Sequence, residues 1–131
     1  MFTKLYLTAL FVFLAIDAIW LGFVAKGFYQ KQIGVLMKTD INWVSAFLVY
    51  ALFVLGLVII VLMPSLYTKT ATEIFLLGAL FGLVAYGVYD LTNLATLKNW
   101  TLVMTIVDMA WGALVGASVA LITFLIANKF F

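Results

Sequence analysis

Four long apolar stretches divide this chain, at about 5–25, 43–63, 73–94 and 101–127, each about 20 residues or longer and so able to cross roughly 30 Å of hydrocarbon as a helix. Unpaired peptide groups are too costly in lipid for an irregular span, and the runs lack the period-two alternation of barrel strands, so helices are required. Composition agrees. With 131 residues, 68% hydrophobic and 9% charged, and a mean hydropathy of +1.29, the chain lacks the polar surface to cover a soluble core. The expected fold is an all-α integral membrane bundle of four transmembrane helices, a single domain over residues 1–131. Lys4 ahead of an apolar run could open a secretory signal. Phe23 stands where cleavage after Ala25 needs a small residue, and Asp17 interrupts the run, so the stretch reads as a retained membrane helix.

Missing residue types exclude chemistry. Without cysteine or histidine there is no disulfide, no thiolate nucleophile and none of the usual haem, copper or zinc ligands. Arginine is also absent, and with it the bidentate phosphate clamp. A net charge of +2, from lysines scattered over loops and ends, suits anchoring to membrane lipid headgroups and not nucleic-acid binding. Those lysines divide too evenly between the two sides for the positive-inside rule to orient the chain.

Against this background Asp17, Asp90 and Asp108 stand out, because each lies inside an apolar stretch. An intramembrane carboxylate costs roughly 2.5–3.5 kcal/mol on the insertion scale and marks a candidate site. At 1.5 Å per residue Asp17 lies roughly 12 Å, Asp108 about 10 Å and Asp90 about 6 Å inside the face that carries the 26–42 and 95–100 loops. Tyr86, Tyr89, Thr92, Asn93, Thr105, Trp20, Trp43, Trp100 and Trp111 fall in the same half, whereas the other half is almost wholly apolar. This segregation predicts a polar pocket open toward one side, with Asp17, Trp20, Tyr86, Tyr89, Asp90, Asn93, Asp108 and Trp111 as its ligand-binding residues. No cofactor is predicted, although the aspartate cluster could hold a divalent cation.

Helical phase sharpens the picture. Gly78, Gly82, Tyr86, Asp90 and Asn93 share one stripe, and Asp108, Gly112 and Gly116 share another. The short connection makes the third and fourth spans a tight antiparallel hairpin centred near Leu97, with Tyr86 level with Asp108 and placed to donate to it. Each stripe contains a G-x-x-x-G, whose small residues allow close backbone approach. The spacing serves the hairpin or, as the minority alternative, a homodimer through Gly78/Gly82 or Gly112/Gly116. Asp17 and Trp20 recur in spacing as Asp108 and Trp111, which predicts an indole one turn away packing over each acid. Glu73 reads as first-turn helix chemistry, Asp40 as a cap before the second span, and the segment after the first span as a possible interfacial helix carrying Tyr29 and Lys31.

The segments D-A-I-W-L-G at 17–22, Y-D-L-T-N-L-A-T-L-K-N-W at 89–100 and V-D-M-A-W-G at 107–112 resemble a family of small bacterial predicted membrane proteins catalogued as a domain of unknown function. The resemblance spans essentially the whole chain. It implies a multi-pass protein of the bacterial cytoplasmic (inner) membrane and brings no established activity, cofactor or catalytic residue. The motif positions fall on Asp17, Trp20, Tyr89, Asp90, Thr92, Asn93, Trp100, Asp108 and Trp111.

Three functional classes follow. The favoured one binds or transports a small molecule, ion or lipid in the acidic and aromatic pocket. The second is a lipid-modifying membrane enzyme using aspartates as acid and base or as Mg²⁺ ligands, and the third a non-catalytic membrane subunit.

Overall fold

The structure, a computed structural model, describes residues 1–131, which fold into helices and short turns with no strand. Helix α1 (Phe2–Ile19) continues through a π-helical stretch (Trp20–Ala25) into α2 (Lys26–Ile33) and a 3₁₀ turn (Gly34–Leu36). The second span comprises α3 (Trp43–Gly56), a π-helical stretch (Leu57–Leu62) and the short α4 (Met63–Ser65). The third and fourth are α5 (Ala71–Thr96) and α6 (Leu102–Phe130). These make four helices long and apolar enough to cross a membrane: Phe2–Leu36, Trp43–Ser65, Ala71–Thr96 and Leu102–Phe130.

The first of them is longer than the sequence predicts. Helix runs on past Ala25 for the full 35 residues, about 52 Å at 1.5 Å per residue against a hydrocarbon core of about 30 Å. The loop therefore begins only after Leu36, and the helix expected beyond the first span is its direct continuation. α2 is tied to α6: Thr101 Oγ1 donates to Gln32 Oε1 at 2.6 Å. The cap of the second span also differs, since Asn42 rather than Asp40 accepts the Ser45 amide, at 3.1 Å. Asn42 adjoins the first helical residue, where a side-chain oxygen reaches the free amides of the first turn. Glu73 stands in the first turn of the third span as expected, and there it also forms a reciprocal capping box with Thr70. Pro64 accounts for the π-helical turns before it, because it has no N–H for the carbonyl four residues back and its ring crowds that group.

α5 and α6 make the most extensive contact in the bundle. Gly78 packs on Gly116 and Gly82 on Gly112, both pairs centred on Leu97 as the hairpin predicts. A Cβ on Gly78 would stand 2.5 Å from the Gly116 carbonyl oxygen, so the crossing admits only glycine. The two stripes thus face each other within one chain, as the hairpin reading expects.

The bundle separates into two halves. Away from the 97–101 connection, Leu5, Phe13, Val54, Leu57, Val58, Leu62, Ile74, Val115 and Val119 form a close-packed core. The outer faces remain apolar, with Phe11, Leu52, Ile60 and Val88 exposed, as a lipid-facing surface demands. The buried acids gather in the other half.

Candidate functional site

Each buried aspartate meets a different environment. Asp108, on α6, is 6% exposed and accepts a hydrogen bond from the Tyr29 hydroxyl of α2 at 2.8 Å. That hydroxyl in turn accepts from Trp20 Nε1 at 2.9 Å. Asp17, on α1, is also 6% exposed and lies beside Tyr50 of α3 and Trp111 of α6. The Trp20 and Trp111 rings stack on each other, centroids 4.3 Å apart and planes within 7°. The indoles therefore serve the acids crosswise: Trp111 stands by Asp17, while Trp20 reaches Asp108 through Tyr29. This corrects the expectation that each tryptophan covers the acid one turn before it. Helices α1 and α6 pack together, so an indole on one projects toward the carboxyl on the other.

Asp90 is fully buried, and neither carboxyl oxygen has a hydrogen-bond donor. Its neighbour is the Asp108 carboxyl. In the register centred on Leu97 the two residues lie one turn apart. Side chains lean toward the N-terminus of their own helix, so in antiparallel α5 and α6 these two lean toward each other. Tyr86, level with Asp108, leans away for the same reason. Its ring fills the space over Gly112, where a Cβ would collide with it. The expected Tyr86 bond to Asp108 is accordingly not made; Tyr29 supplies the donor instead.

Tyr86 and Tyr89 contribute elsewhere. Both line a groove of about 810 Å³ between the second span and α5, with Leu52, Phe53, Ile59 and Phe81 among its apolar walls. Asp108 is the only charged residue in the lining. Tyr89 is 57% exposed and meets Trp100 edge to face at 5.7 Å. The Trp100 indole is fixed by donating to Thr105 Oγ1 at 3.1 Å. Asn93 sits beside Tyr89, outside both the groove lining and the carboxylate network. No three carboxylates come together as a metal-ligand group, so the aspartate cluster consists of the Asp90–Asp108 pair with Asp17 apart from it.

With this geometry in place, comparison with known families matches residues 2–125 to the family described as "Predicted membrane protein (DUF2177)". The chain belongs to this family. No curated protein and no solved structure matches it. The DUF2177 match runs from α1 to the last turns of α6 and so takes in every residue of the network and the groove.

Two residues of this DUF2177 chain that sequence reasoning left outside the site are central to it. Tyr29, which the sequence puts on an interfacial face, bridges Trp20 and Asp108. Tyr50 carries no polar neighbour in sequence to mark it, yet it lies against Asp17. A hydroxyl within an apolar run was the available signal, since a buried phenol needs a partner.

Proposed function

We propose that this membrane protein binds a lipid or another hydrophobic small molecule, its apolar body in the groove between α3 and α5 and its polar head at Asp108. One observation carries the reading: an apolar groove of about 810 Å³ has a single charged group in its lining. Ligand sites commonly combine apolar walls with a few placed polar groups that set orientation. Here Tyr29 holds the Asp108 carboxyl in one position, ready for a head group. The groove wall includes Leu52 and Ile60, which are also lipid-facing, so a ligand can enter sideways from the bilayer. The resemblance to bacterial membrane proteins supports a place in the bacterial cytoplasmic membrane.

Native mass spectrometry of the detergent-purified protein tests this. The wild type should retain a bound lipid-sized molecule, Ala85→Trp should lose it because the indole fills the groove, and Asp108→Asn should hold it more weakly. Equal retention by folded Ala85→Trp would refute the groove as the site.

A further inference from the structure

Asp90 presents a problem of electrostatics that the groove resolves. Both of its oxygens are buried and without donors, and the group it faces is another carboxyl. Ionised carboxylates only accept, so two of them in contact need a proton or a cation between them. No cationic side chain stands beside Asp90, Asp17 or Tyr29. The titratable groups around the pair are Asp17 on α1, Tyr29 on α2, Tyr50 on α3, and Tyr86 and Tyr89 on α5. None carries positive charge, and no lysine lines the groove. A proton is then the one neutralising agent the protein itself offers.

The groove also shows what could replace it. Phe53, Phe81, Tyr86 and Tyr89 line the groove together with Asp108, and aromatic faces attract cations. We propose that Asp90 and Asp108 form a proton-exchange site for a lipophilic monovalent cation, which lodges its apolar part in the groove and its charge at Asp108 while the pair releases one proton. Charge balances: the protonated pair and the free cation become the cation-bound pair, one proton poorer, and a proton in solution. Asp90 is the store of the exchanged proton, and Asp108 is the group that meets the cation. This deepens the binding role above and rests on it.

The probe is tetraphenylphosphonium, a permanent cation with no proton of its own. Its binding to the whole detergent-solubilised protein is measured by calorimetry in two buffers of different protonation enthalpy, over a series of pH values. About one proton should be released per cation, and affinity should rise about tenfold per pH unit across the range where the pair titrates. Asp90→Asn should still bind the cation but with an affinity flat in pH, and Asp108→Asn should bind it at least about tenfold more weakly. Cation binding without proton release in the wild type overturns the proposal. Failure to bind the cation while neutral triphenylmethane binds also overturns it, and leaves the groove as a site for uncharged molecules. If neither probe binds, the groove reading falls with it.

Discussion

The hydroxyl of Tyr29 donates to the carboxylate of Asp108 at 2.8 Å across 79 residues of sequence, and so ties the extension of the first helix to the start of the last. A second bond, from Thr101 Oγ1 to Gln32 Oε1 at 2.6 Å, joins the same two elements. The Tyr29 bond also leaves the other Asp108 oxygen free to face Asp90 or a ligand.

Removing that donor while keeping the ring isolates the bond. Tyr29→Phe should lower stability by about 1.5–3 kcal/mol, the range for a hydrogen bond to a charged group, and should lower the thermal midpoint in detergent. An unchanged midpoint would mean that solvent or lipid replaces the phenol at no cost.

Trp20 and Trp111 offer a second test, because their rings stack directly on each other. A double-mutant cycle with Trp20→Leu and Trp111→Leu should give a coupling of about 0.5–1.5 kcal/mol. Additive effects would show that the two rings only fill space.

The glycine crossing predicts a sharp positional contrast. Gly82→Ala should disrupt the α5–α6 hairpin, because its new methyl group would run into the Gly112 backbone carbonyl. Gly22→Ala meets nothing within 4 Å and should be tolerated. Comparing the folded fraction by size-exclusion chromatography in mild detergent distinguishes the two. Equal yields would argue that the helices cross farther apart.

At the far end of α5, Thr70→Ala removes one half of the capping box and should cost about 1 kcal/mol. Hydrogen exchange should accelerate at the first-turn amides, above all at Glu73, whose N–H bonds to Thr70 Oγ1. Unaltered exchange there would assign the start of the helix to packing alone.

Much of the architecture was legible in the sequence because solvation dictates it. Four apolar runs must become helices in lipid, and the short connection around Leu97 joins two of them in a register that the facing glycines confirm. The positions of Asp17, Asp90 and Asp108 were equally plain, since charged groups are rare in such runs. What each acid would meet was not. Nine residues separate Trp20 from Tyr29, two and a half turns of a regular α-helix, which would point them to opposite sides. The π-helical stretch Trp20–Ala25 lies between them and shifts the phase, and both then meet at one hydrogen bond. Asp90 likewise reached Asp108 through the opposed lean of side chains on antiparallel helices, an effect absent from residue spacing. Hydrophobic burial and backbone satisfaction act locally and leave their pattern in sequence; the partners of the buried acids depend on helix phase and tilt, which only the packed bundle decides.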